Sequence, residues 1–189
     1  MKFPNKYSCL DKNEFSIGDY KIIPIRFEDR LDILKWRNEQ IYHLRQDKIL
    51  TKEVQDKYFR EIVASIFSEK KPNQILFSYI KKQKCIGYGG LVHINWSDKN
   101  AEISFLMNSD LEKKYFHFHW SNYLKMIENL AFDELNFHKI YTYAYDLRPK
   151  LYEVLIDSGY FRDAILKDHV CSKGSYLDVV IHSKLNKSI

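Results

Sequence analysis

Three strand runs follow one another within residues 74–107, and this block constrains the fold more than any other feature of the chain. Gln74–Lys81 alternates in polarity, Lys81–Lys84 makes a turn, and Cys85–Ile94 returns as the second arm of a hairpin. Ala101–Met107 alternates again, with Ala101, Ile103, Phe105 and Met107 on one side and Glu102, Ser104 and Leu106 on the other. Both flanks read as helix, so the block predicts a sheet that helices cover.

Upstream, Tyr20–Arg26 predicts a first strand, placed at an edge because Pro24 lacks an N–H to share. Glu28–Glu39 carries Leu31, Leu34 and Trp36 at roughly helical spacing. Thr51–Phe67 is a second helix, with Thr51 as N-cap and a stripe of Val54, Tyr58, Ile62 and Ile66. Residues 40–50 join the two. Downstream, a long helix ends near Leu135, Lys139–Tyr145 is a strand, and Pro149–Asp157 is a helix with proline at its start. Phe161–Leu166 and Ser175–Leu185 are late strands around a turn at Gly174. The order is β-α-α-β-β-β-α-β-α-β-β. It predicts an α+β domain over residues 20–189, after an irregular lead-in at 1–19. Its centre is a mixed, mostly antiparallel sheet of about seven strands flanked by about four helices. Such sheets bind ligands at the carboxyl ends of strands, where neighbours diverge.

Composition narrows the partners. A length of 189 residues fits one domain, and aromatics at 15% predict a core heavy in Tyr and Phe. The net charge of +5 is spread out, with no Lys/Arg block longer than two, which excludes a nucleic-acid footprint and suits a phosphate-bearing small molecule. Cys9, Cys85 and Cys171 form neither a disulfide framework nor a zinc pattern, and this usage points to the cytoplasm. No run approaches the ~18 apolar residues of a membrane span. His117 and His119 lack a third ligand at sensible spacing, so no metal is expected.

The element order resembles the GNAT acetyltransferase superfamily over roughly residues 20–186, and particular segments reinforce this. CIGYGGLVHI at 85–94 resembles the family's Gly-Gly strand, and AEISFLMN at 101–108 the strand that lines the thioester. AFDELNFHKIY at 131–141, Ser158-Gly159-Tyr160 and Tyr176-Leu177-Asp178 resemble motifs of the branch that contains ribosomal-protein N-terminal acetyltransferases. Trp36-Arg37-Asn38 resembles a motif of relatives that acetylate amino sugars on nucleotides.

The resemblance implies attack of a primary amine on the thioester of acetyl-CoA. That reaction needs a pyrophosphate cradle, a backbone oxyanion donor, a base and an acid for the thiolate. Two of these are altered. The cradle region, LEKKYFHFHW at 111–120, has no glycine, although Lys113 and Lys114 could offset phosphate charge. Ser109-Asp110-Leu111-Glu112 reads as a capping box, so the helix starts either there or at Ser121. The acid position, four residues before Gly159, is Leu155, with Tyr152 one turn earlier, and Arg148 replaces an Asn common near that helix start. Phe105, Leu106 and Met107 are the expected donor-lining residues, with the oxyanion N–H near Leu106. Glu102, directly or through a water, is the expected base and His93 the second candidate. Trp36, Arg37, Asn38 and Arg45 are expected at the acceptor, where the arginines could grip a carboxylate or diphosphate. Two functions follow. One is acetyl transfer to a small-molecule amine, an amino sugar or sugar nucleotide, or to a protein N-terminus; a homodimer stays open. The other is a catalytically silent module that binds a ligand or partner.

Overall fold

The computed structural model describes residues 3–172 and 174–187; Ile189, the far bound of the expected domain, lies outside them. Eight strands form one sheet in the order β1-β2-β3-β4-β5-β6-β8-β7. They are β1 (Phe15–Ile17), β2 (Tyr20–Pro24), β3 (Ile75–Lys81), β4 (Lys84–Asn95), β5 (Asn100–Met107), β6 (Lys139–Tyr145), β7 (Phe161–Ser172) and β8 (Ser175–Leu185). Every neighbouring pair is antiparallel except β5 and β6, which run parallel. The helices are α1 (Arg30–Glu39), α2 (Lys52–Tyr58), α3 (Ala64–Ile66), α4 (Ser109–Glu128) and α5 (Pro149–Asp157). A π turn at Phe59–Val63 welds α2 to α3, so four helical bodies flank the sheet. None is long and apolar enough to cross a membrane.

The central hairpin forms as its sequence dictates. Lys82 and Gln83 both take left-handed φ, 45° and 69°, which matches the twist of a two-residue hairpin turn. At Gly89 a Cβ would lie 2.0 Å from the Ser104 carbonyl oxygen, and at Gly90 it would lie 1.9 Å from that of Ile75. The Gly-Gly pair therefore lets β3, β4 and β5 close up where side chains would hold them apart.

Five expectations change. The lead-in is structural: β1 pairs with β2 from Ile17–Tyr20 to Phe15–Ile22. Upstream of β1, Tyr7 is fully buried and stacks on Phe67 at 4.1 Å. Its hydroxyl accepts from Leu76 N–H at 3.0 Å and donates to Leu76 O at 2.8 Å. A three-residue strand is too short to show alternation, which hid it. The strand with Pro24 is accordingly not the edge, but β1 stops opposite Ile22, so Pro24 falls where no outer neighbour asks for an N–H.

The second helix keeps its Thr51 cap, whose Oγ1 accepts from Val54 N–H, but turns a different face inward. Val54, Tyr58 and Ile62 are exposed, whereas Gln55, Phe59, Val63 and Ile66 are buried. Gln55 donates to Arg30 O of α1, so the buried face is already one residue out of step with the expected stripe before the π turn begins. In the first helix, Leu31 is exposed while Ile33 and Trp36 face the core. Finally, β7 extends to Ser172, six residues beyond the expected end.

Tyr7→Phe should lower the unfolding free energy by about 1–3 kcal/mol, because the buried Leu76 N–H loses its partner, while Leu76 O keeps the Ile25 N–H. Urea unfolding followed by circular dichroism checks this; no change would mean that the segment before β1 does not belong to the core.

Candidate active site

The parallel pair β5–β6 is zipped for only three residues, Asn100–Glu102 against Lys139–Tyr141. Beyond Glu102 and Tyr141 the strands part. Trp120 of α4 and Leu151 of α5 reach the opening, and a cavity of about 380 Å³ occupies it. Ser104 and Phe105 line the cavity along a stretch of β5 that has no ladder partner on the β6 side.

Arg45, from the 40–50 connection, gathers three predicted residues at one end. Its Nη2 donates to Glu102 Oε1 at 2.7 Å and its Nη1 to His93 Nε2 at 2.9 Å. Because arginine only donates, His93 Nε2 accepts, which places that ring's proton on Nδ1. Glu102 Oε2 lies 3.9 Å from His93 Nε2. The guanidinium also stacks over Tyr143 at 4.0 Å. His93 reaches this cluster from a bulge between Val92 and Asn95, where its φ is +49°.

The tripeptide Trp36-Arg37-Asn38 divides its labour. Trp36 is core. Asn38 pins the connection, bonding Leu50 through both N–H and C=O and accepting from Gln46. Arg37 alone of the three lines the cavity. Its partners are neutral, Gln46 Oε1 at 2.9 Å and the Tyr88 hydroxyl at 2.8 Å.

The donor end differs more. Phe105 lines the cavity, but Leu106 and Met107 are buried in the sheet away from it, with Met107 O held by Gln40. Lys113 and Lys114 are exposed, and Lys113 borders a separate polar cleft with Lys35 and Glu39. Tyr152 turns away, donating to Asp146 at 2.9 Å and stacking on His182 at 5.1 Å; burial and that carboxylate push its hydroxyl pKa up. Leu155 is fully buried.

Of the two expected helix starts, the earlier one at Ser109 is used, with a different residue as its cap. Asn108 is the cap, its Oδ1 accepting from the N–H groups of Asp110 and Leu111, so α4 begins directly after β5. Ser109 Oγ instead donates to Glu39. The helix then breaks at Tyr115 (φ −135°, ψ 32°). Tyr115 and Phe118 point outward and leave the opening free. His117 and His119 also diverge, His117 toward Asp157 and His119 toward the Tyr79 hydroxyl. Among the described residues, no group of three His, Cys, Asp or Glu could hold a metal.

Tyr88, Tyr143 and Arg148 belong to the site but were not singled out for it, whereas His43 flanks, with Trp36, Arg37 and Arg45, the first helix-to-helix connection where the sequence puts the acceptor. Tyr143 follows from the alternation of Tyr141, Tyr143 and Tyr145 along β6. The others are brought together only by folding. Arg148 donates to Glu112 at 2.8 Å and lies 3.3 Å from His43 Nδ1. Burial, and then Arg148, lower the pKa of His43 to about 3. Burial raises that of Glu112 despite Arg148.

A mixed sheet split at its parallel pair, with a long helix starting at the split, defines a class: acyltransferases that slot an extended thioester between two strands. A family model for the acetyltransferase (GNAT) domain matches residues 22–181, and the chain belongs to that family. It is an N-acetyltransferase, and its acetyl donor is acetyl-CoA. Solved structures agree in fold. A spermidine N-acetyltransferase from Vibrio cholerae in complex with CoA and spermine superimposes with a TM-score of 0.77 at 18% identity, over 89% of this chain and 96% of that one. A dodecameric form of the Vibrio cholerae enzyme gives 0.72 at 19%, over 90% and 95%. A further acetyltransferase structure gives 0.70 at 13%, over 93% and 88%. No curated protein matches the chain by sequence.

His43 yields a pH prediction. The unfolded imidazole protonates near pH 6.5 and the folded one near pH 3. Between these values the unfolded chain holds the extra proton, so stability falls as pH drops, by up to ~1.4 kcal/mol per unit. His119 and His182 are shifted in the same direction. His43→Asn should therefore flatten, without abolishing, the dependence of unfolding free energy on pH between 6.5 and 4. Unchanged steepness in urea titrations would count against this.

Proposed function

We propose that the chain acetylates the primary amine of a small acceptor that also carries an anionic group, an amino sugar on a nucleotide being the first candidate and a protein N-terminus the second. The observation that supports this is Arg37. Its guanidinium faces the cavity with only neutral partners, which leaves a half-buried positive charge without a counter-ion. Arg45 and Arg148 line the same cavity, against one carboxylate, Glu102. A polyamine would meet like charge here; a phosphate or carboxylate would find a guanidinium fork.

In this reading the acetyl-pantetheine arm lies in the opening between β5 and β6. Glu102 takes the ammonium proton, directly or through a water: Oε1 is bound to Arg45, which leaves Oε2 for the task. The freed amine attacks the thioester carbon, and the C–S bond breaks as the amide forms. Backbone N–H groups along the unpaired part of β5 are the candidate oxyanion donors. With Leu155 at the acid position, the sulfur leaves as thiolate; a thiol pKa of about 8.5 makes that tolerable. Three free cysteines fit a reducing cytoplasm as the compartment. A homodimer remains part of the reading, since a Vibrio cholerae neighbour assembles as a dodecamer.

Thiol release from acetyl-CoA over an amine panel tests this. A nucleotide-linked or phosphorylated amino sugar should exceed the neutral sugar about tenfold in kcat/KM, and Arg37→Gln should erase the difference. Glu102→Gln should lower kcat by ~10²–10⁴. Spermine as the best acceptor would overturn the assignment of the acceptor. CoA binding without turnover of any amine would favour the silent module.

A further inference from the structure

The mouth of the opening is barred. Arg148 is the N-cap residue of α5, just past the end of β6, and Glu112 lies in the first turn of α4, just past the end of β5. Their 2.8 Å bond therefore spans the open end of the gap that begins beyond Glu102 and Tyr141. The side chains are only 11% and 14% exposed, and the Phe116 ring lies 5.1 Å from the guanidinium carbon. His43 contributes a ring nitrogen and no carboxylate, so among the described residues Glu112 is the one anion that meets Arg148.

Glu112 is also carried on a separable piece. Tyr115 interrupts α4, so Ser109–Lys114 is not continuous with the body of the helix. That piece is fastened at its start, where Asn108 caps it and Ser109 bonds Glu39. An elongated donor whose thioester lies inside the opening must lead its charged half out past this pair. The usual Gly-rich loop is missing from 111–120, and in its place stand a carboxylate and an arginine. A guanidinium binds carboxylate and phosphate oxygens in the same forked geometry.

We infer that Arg148 is the ligand for the diphosphate of acetyl-CoA, and that Glu112 is an internal stand-in which holds Arg148 until the donor displaces it. This rests on the reading of the opening as the donor site. Binding exchanges one ion pair for another: the Arg148–Glu112 bond opens, an Arg148–phosphate bond forms, and the Glu112 side chain turns aside. The latch thus takes the place of a preformed cradle, and the apo protein is closed to the donor.

Calorimetry with CoA, and kinetics with acetyl-CoA against S-acetylpantetheine, which lacks the diphosphate, test the latch. Glu112→Gln keeps the shape but frees Arg148, and should tighten CoA binding about tenfold. Arg148→Gln should weaken it by at least as much, and Arg148→Lys, which keeps the charge, by less. The KM for S-acetylpantetheine should not rise in Arg148→Gln, and this also reports that the variant is folded. CoA affinity that is indifferent to Glu112→Gln, or an Arg148→Gln loss shared equally by both donors in protein that still unfolds cooperatively, would overturn the latch alone. Failure of every variant and the parent to bind CoA at millimolar concentration would overturn the donor site and the latch together.

Discussion

The site depends on where two strands stop sharing hydrogen bonds. β6 is committed to β8 along its whole length, from Lys139–Leu185 to Tyr145–Val179. β5 is equally committed to β4, from Asn100 to Met107. Helix α4 then draws β5 to its own side: Tyr123 stacks on Phe105 at 3.8 Å and donates to Ser104 O at 3.0 Å, while Trp120 meets Phe105 edge-on at 5.0 Å. With each strand held by a different neighbour, the parallel pair survives for three residues and then opens. Parallel pairing is slightly the weaker kind, so it is the seam that yields.

Inside that seam, charge is arranged so that most of it is already paired. Arg45 satisfies Glu102 and His93 together and rests on Tyr143, and Arg148 satisfies Glu112. Arg37 is the exception, with a hydroxyl and an amide for partners. A buried charge without a counter-ion is costly to keep, so such a residue is informative about the ligand in a way that a paired arginine is not.

Much of this was legible in advance. The hairpin, the strand at Ala101–Met107 and the last helix follow from period-two alternation and from proline and glycine punctuation, which are local properties. Glu102, His93 and Arg45 were each legible as residue types in suitable elements, and they do converge. Where a residue lies elsewhere than expected, the cause differs from case to case. Tyr152 and Lys114 sit at helical positions adequate in spacing, but helix rotation against the sheet turns them away from the cavity. The stripe Val54, Tyr58, Ile62 failed because the helix is rotated by one residue, so that Gln55, bonded to Arg30 O of α1, and Phe59 face inward in place of Val54 and Tyr58. Ser109 lost the cap to Asn108 because the backbone leaves β5 one residue earlier than the capping box implies.

What the chain's own order of residues determined is the set of elements, their sequence and the chemistry available to them: a mixed sheet, a strand carrying Glu102, a helix start without glycine, and a last helix with leucine where an acid is usual. These are local, because they depend on spacing and on side-chain type. Only the tertiary structure decided that β5 and β6 part after Glu102, that Arg37 is left without a carboxylate, and that Arg148 reaches Glu112 across the mouth. Each of those depends on which groups, far apart along the chain, arrive within 3 Å of one another, and that distance is set by packing.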